Sequence, residues 1–160
     1  MKIYSFLSKL KKNAVKYKNS IAIEIGNFKL SYGEFWRNVE FLSLSLYKIK
    51  KNPKVIIVGD KNILSYISIF SVLRAGGTYI PVSSKIPQDR LIKIVKLVKP
   101  EVIIGSKNFK KKISKIFKKI KYIDKIPKLD FFLKKNNNYN LNKIKPSRLA
   151  YIIFTSGSSG

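Results

Sequence analysis

Short, uninterrupted apolar runs recur along this chain, and each but the last is followed by a segment with helical spacing. Val55-Ile56-Ile57-Val58, Thr78-Tyr79-Ile80-Pro81-Val82, Val102-Ile103-Ile104 and Leu149-Ala150-Tyr151-Ile152-Ile153-Phe154 are the runs. They are too short for core helices and read as strands buried on both faces. Between them, Ile63, Ile67, Phe70 and Leu73 recur at helical spacing, then Leu91, Ile94, Val95 and Val98, then Phe109, Ile113, Ile116, Phe117 and Ile120. Strand–helix alternation of this kind predicts an α/β fold, a mainly parallel sheet flanked by helices. Pro81 lacks an N–H, which assigns its strand to an edge or sets it near a strand end.

The punctuation agrees with this order. Gly76-Gly77 supplies a helix stop, Pro87 suits a helix start, and Pro53 and Pro100 mark breaks. Upstream, Ile3, Phe6, Leu7, Leu10, Ala14 and Tyr17 predict a helix over 3–17. Ile21–Ile25 and Phe28–Leu30 flank the turn signal Gly26-Asn27 and predict a hairpin. Ser31 and Glu34 have the spacing of a capping box. The helix behind them carries Phe35, Val39, Leu42, Leu46 and Ile49 on one stripe. Residues 124–148 read as a linker or loop, with a low-complexity core at Lys134–Asn140, after a short strand at Tyr122-Ile123.

Composition narrows the chemistry. With no Cys and no His in 160 residues, disulfides, thiolate nucleophiles, zinc fingers and His-based triads are excluded within this stretch. The formal net charge is +26. Such a charge suggests nucleic acid or an anionic surface. However, 30 of the 34 basic residues are Lys, and only Arg37, Arg74, Arg90 and Arg148 are Arg. Base readout and bidentate phosphate contacts favour Arg. Lys, Ile, Asn, Phe and Tyr share A/T-rich codons, so much of the charge is ascribed to coding drift. The expectation is therefore no specific nucleic-acid partner. A Lys-rich basic module that binds nucleic acid or anionic surfaces non-specifically is the alternative. Uncharged runs do not exceed 12 residues, as at Asn62–Leu73, against about 20 for a membrane span. The expectation is a cytoplasmic chain without a span.

The last strand runs directly into Thr155-Ser156-Gly157-Ser158-Ser159-Gly160. Ligands of open parallel sheets bind beyond the carboxyl ends of strands. Small residues let backbone N–H groups approach phosphate oxygens, and hydroxyls add donors. The run lacks the P-loop pattern, and by composition alone it equally fits a flexible Ser/Gly linker. It has company, however. YIIFTSGSSG (Tyr151–Gly160), LRAGGTYIPVSSKIPQDRL (Leu73–Leu91) and LSYGEFWRNVEFLSLSL (Leu30–Leu46) together resemble, in order and separation, three motifs of the adenylate-forming (AMP-binding) enzyme superfamily. AGGTYIPV looks most like amino-acid adenylation domains. IPQDR (Ile86–Arg90) and VKPEVIIGS (Val98–Ser106) are similar to D-alanine–carrier protein ligases. Ser83-Ser84 departs from the family's Asp-Pro, and Ser159 stands where Thr is preferred.

The resemblance implies that residues 1–160 are a partial N-terminal AMP-binding domain ending inside the phosphate-binding loop. It implies an acid–thiol ligase using ATP and Mg²⁺. A carboxylic or amino acid attacks the ATP α-phosphate, pyrophosphate leaves, and the acyl-adenylate passes its acyl group to a thiol, often carrier-protein phosphopantetheine. Thr155, Ser156, Gly157, Ser158, Ser159 and Gly160 are implied to grip the β/γ-phosphates. No metal ligand is assigned, and the family's catalytic residues correspond to positions past residue 160. The 160-residue stretch alone is expected to be inactive. Asp89-Arg90 reads as a surface or helix-start pair, Trp36 and Tyr79 as core aromatics, and Lys107–Lys121 as a solvated helix face.

Overall fold

The structure, a computed structural model, describes residues 3–59, 61–126 and 148–155, with Ile3–Ser5 by backbone alone. Eleven elements follow one another in those residues: α1 (Ile3–Lys16), β1 (Ile21–Ile25), β2 (Phe28–Ser31), α2 (Tyr32–Ile49), β3 (Lys54–Gly59), α3 (Ile63–Arg74), β4 (Thr78–Ser83), α4 (Gln88–Val98), β5 (Val102–Ile104), α5 (Lys107–Ile113) and β6 (Lys121–Ile123). β1 and β2 form the expected antiparallel hairpin, with Gly26 at φ 57° in its turn. The other four strands make one all-parallel sheet in the order β4-β3-β5-β6.

The sheet divides the core into two layers because successive side chains of a strand face opposite ways. Val55, Ile57, Val102 and Ile104 face α1, α2, α3 and the hairpin, where they meet Phe35, Val39, Leu42, Leu46 and Ile67. Ile56, Val58, Ile80, Val82 and Ile103 face α4 and α5, against Leu91, Ile94, Val98, Phe109 and Ile113. The continuous apolar character of β3 and β5 is thus explained by cover on both faces.

Local signals act as expected in several places. Glu34 N–H donates to Ser31 Oγ (3.3 Å), and Ser31 N–H donates to Glu34 Oε2 (2.9 Å), closing the capping box of α2. These bonds from Ser31 hold the Glu34 carboxyl below its ordinary range. The end of α3 is a Schellman motif: Gly77 N–H donates to Val72 O, Gly76 N–H donates to Leu73 O, and Gly76 sits at φ 72°. Pro81 lies on β4, at the edge of the four-stranded sheet.

Two expectations are corrected. The helix read through Ile120 ends at Ile113, and tight turns follow, with Ile116 and Phe117 N–H groups both donating to Ile113 O. Lys107, Lys111, Lys115 and Lys119 would stack at i, i+4 on a longer helix, where like charges repel. The turns also bring Phe117 and Ile120 back onto the apolar layer of α4. The second correction concerns Leu149–Phe154. Its backbone makes a single parallel bridge, Tyr79↔Tyr151, in place of a strand. Tyr79 N–H donates to Ala150 O, and Ile152 N–H donates to Tyr79 O. The following rung calls for an N–H at Pro81, which has none. The low-complexity run Lys134–Asn140 lies outside the described residues.

Candidate functional site

All four strands of the parallel sheet end on one side, at Gly59, Ser83, Ile104 and Ile123. Residues 148–155 run beside β4 in the same direction and reach that side too. Continuing the Tyr79↔Tyr151 register sets Thr155 level with Ser83. The chain is held in this lane by several contacts. Thr78 Oγ1 donates to Leu149 O (2.7 Å), and Arg148 Nη1 donates to Gly76 O (3.3 Å). The Tyr79 and Tyr151 rings lie 5.7 Å apart, and burial, with Tyr151 nearby, raises the Tyr79 phenol above its ordinary value. Ile152 and Phe154 turn inward onto the α4 layer, while Tyr151 and Ile153 face outward.

Thr155 is therefore delivered to the carboxyl edge of the sheet with its carbonyl toward α4. Arg90 Nη2, from the first turn of α4, donates to that carbonyl at 2.8 Å. Beside this bond lies a pocket of about 360 Å³, lined by Pro81, Ser83, Lys85, Pro87, Arg90 and Phe154 among others. Ser83 Oγ accepts from Lys85 N–H (3.1 Å), which turns the chain from β4 toward α4. Of the six residues implied to grip phosphate, Thr155 is described. Ser156, Gly157, Ser158, Ser159 and Gly160 lie outside the described residues. Hydroxyl and glycine donors of this kind suit phosphate oxygens. Among the described residues, no group of three or more His, Cys, Asp or Glu side chains comes together.

The remaining singled-out residues fall elsewhere. Gly76 stops α3, and Gly77 serves a close approach to Pro53. Trp36 is buried, as expected, but it also carries a cation: the Arg74 guanidinium lies 5.5 Å from its ring centroid. Arg74 further donates to Ser43 Oγ (2.9 Å) and Glu40 Oε1 (3.0 Å). Burial lowers the Arg74 pKa, and Glu40 opposes that shift. This network pins α2 to α3 on the face away from α4. Nothing in the sequence separated Arg74 from the other cations. Two lysines of the Lys107–Lys121 run have structural partners: Lys110 pairs with Asp124 (3.9 Å), and Lys112 Nζ donates to Ile86 O (3.4 Å). Tyr122 OH donates to Ser106 O (2.8 Å), and burial, with Asp124 nearby, pushes its pKa up to about 12. Among the described residues, no helix is long and apolar enough to cross a membrane.

A parallel sheet with helices on both faces, and a chain that reaches its carboxyl edge at Thr155, the first residue of a hydroxyl- and glycine-rich run, define the class of α/β proteins that hold ligands beyond their strand ends. Residues 10–160 match the family model for AMP-binding enzymes. The chain belongs to that AMP-binding, adenylate-forming family. It is 30% identical over 151 residues to tyrocidine synthase 1 of Brevibacillus parabrevis, a match covering 92% of this chain and 14% of that protein. It is 34% identical over 143 residues to an NRPS-like tryptophan epimerase of Fusarium equiseti, covering 87% of this chain and 10% of the other. The crystal structure of the nonribosomal peptide synthetase FmoA3 shares the fold with a TM-score of 0.72 at 16% identity, over 94% of this chain and 16% of that one. The chain thus spans a small part of the length of the relatives it matches.

Proposed function

We propose that this chain is the N-terminal segment of an ATP-dependent acid–thiol ligase, a partial AMP-binding domain in which residues 124–148 are a linker or loop. In this reading the ligase activates an amino acid, or another carboxylic acid, as its acyl-adenylate. It then hands the acyl group to the phosphopantetheine thiol of a carrier protein. The observation that carries the proposal is the run of the chain along β4 to the carboxyl edge of the sheet, ending in Thr155, in a member of the AMP-binding family.

The division of labour follows from the donors. Thr155, Ser156, Ser158 and Ser159 offer hydroxyls, and Gly157 and Gly160 let backbone N–H groups come close. Together they hold the β- and γ-phosphates and favour pyrophosphate as the leaving group. Mg²⁺, when bound, neutralises phosphate charge. The amino-acid preference rests on AGGTYIPV, and the leaning toward D-alanine–carrier protein ligases rests on IPQDR and VKPEVIIGS. A cytoplasmic setting belongs to the same proposal.

The test is ATP–pyrophosphate exchange by the full-length protein that carries this chain, assayed with single amino acids and with simple carboxylic acids. Exchange dependent on one acid is the expected result, with none from residues 1–160 alone. Exchange by the 160-residue piece, or none by the full-length protein with any acid, would refute the reading.

A further inference from the structure

We propose that Arg90 is a positioning residue for the phosphate-gripping segment: its guanidinium clamps the Thr155 carbonyl and so fixes where the hydroxyl- and glycine-rich run begins. The inference rests on the functional reading above for its link to nucleotide, but the clamp itself stands on geometry.

Three observations converge on Arg90. Its Nη2 donates to Thr155 O at 2.8 Å across 65 residues of sequence. The sheet ladder that would otherwise hold residues 152–155 is interrupted, because Pro81 offers no N–H after the Tyr79 rung. Arg90 and Phe154 both line the pocket of about 360 Å³, which sets the guanidinium beside the chain that leads to Thr155. A charged, forked donor placed where backbone pairing fails replaces the missing rung with a side-chain bond. Arg90 is anchored in turn by α4: Leu91 and Ile94 beside it are buried in the sheet-facing layer. Rigid support for the first residue of a ligand-gripping segment matters, because small displacements of positioning groups propagate to the reacting atoms.

The guanidinium does not touch nucleotide in this account. It acts through the Thr155 carbonyl, at the first residue of the hydroxyl- and glycine-rich run. Two variants of the full-length protein separate this from a general loss of fold. R90Q keeps a polar side chain but loses charge and fork, and R90K keeps charge and one donor.

Hydrogen exchange of the Ile152–Thr155 amides is read first, alongside Trp36 fluorescence as a check on the fold. R90Q is expected to speed exchange at the hydrogen-bonded Ile152 amide, leave α4 and β3 protected, and raise the KM for ATP about fivefold, the size of one solvent-exposed charged contact. The KM for the acid should not move, and R90K should recover at least half of the loss. Unchanged exchange at Ile152 in R90Q overturns the clamp. Faster exchange with an unchanged KM for ATP overturns its role in nucleotide binding. If the wild-type protein shows no pyrophosphate exchange with any acid, the functional reading falls, and the amide measurement still decides the clamp.

Discussion

At the residue scale, the two adjacent glycines after α3 do different work. Gly76 adopts φ 72°, a region that an L side chain enters at a cost of about 1–2 kcal/mol. Gly77 has no such dihedral, but a Cβ built on it would stand 2.3 Å from Pro53 O and 3.0 Å from Val72 Cγ1. Pro53 O cannot retreat freely, because it accepts from Thr78 N–H at 2.9 Å where β3 and β4 begin. Gly77→Ala must therefore push apart two strands that pair along their full length. Overpacking of this kind costs about 3 kcal/mol, so Gly77→Ala should destabilise more than Gly76→Ala. Urea unfolding followed through the single Trp36 measures both. A cost at Gly77 equal to or below that at Gly76 would contradict the close-approach account. The sequence marked this pair as a helix stop, which holds for Gly76. The constraint on Gly77 was invisible there, since Pro53 is 24 positions away and meets it only through the parallel pairing.

At the element scale, the elements that were legible are those whose side chains carry their own periodicity. β3 and β5 are apolar runs bounded by Pro and Gly, and the stripe of α2 begins at a capping box that the sequence spells out. The misread elements depend on partners. α5 has helical spacing to Ile120, yet repulsion along its Lys ladder and the pull of the apolar layer end it at Ile113. Leu149–Phe154 has strand composition, yet pairing needs an N–H on the neighbour as well. Arg90 looked like a surface cation because its acceptor lies 65 residues on. Thr155 to Gly160 were legible as a pattern of donors, and the setting of Thr155 level with the end of β4 came from the fold. These points give a test: if Pro81 is what halts the ladder, Pro81→Val restores an N–H facing Ile152 O. The expected result is slower hydrogen exchange at Ile152 and Phe154, with β3 unaffected. Unchanged exchange at both amides would mean that the interruption has another origin.

At the scale of the whole molecule, the +26 charge must be reconciled with a compact α/β fold. Among the described residues, Glu24, Glu40, Glu101 and Asp124 pair with Lys29, Arg74, Lys50 and Lys110. Those four ion pairs stand against a whole-chain balance of 34 basic and 8 acidic residues. Basic residues outnumber acidic ones more than fourfold, and self-repulsion from so large a net charge weakens the folded state. Its range is set by salt: the screening length falls from about 30 Å near 0.01 M to about 8 Å near 0.15 M. Adding salt over that interval should relieve more repulsion than it removes attraction from four ion pairs, of which Lys29–Glu24 is the one exposed on both sides. The thermal midpoint should rise, by about 3 °C for each kcal/mol relieved in a chain of this size. A falling midpoint would mean that the ion pairs outweigh the excess charge. The same titration addresses the Lys-rich binding alternative. Duplex DNA of arbitrary sequence, bound near 0.01 M salt, should be released near 0.15 M, because Lys contacts to phosphate draw on counterion release. Binding that persists at the higher salt and prefers one sequence would restore a nucleic-acid role, and the charge would then need a functional explanation in place of a codon one.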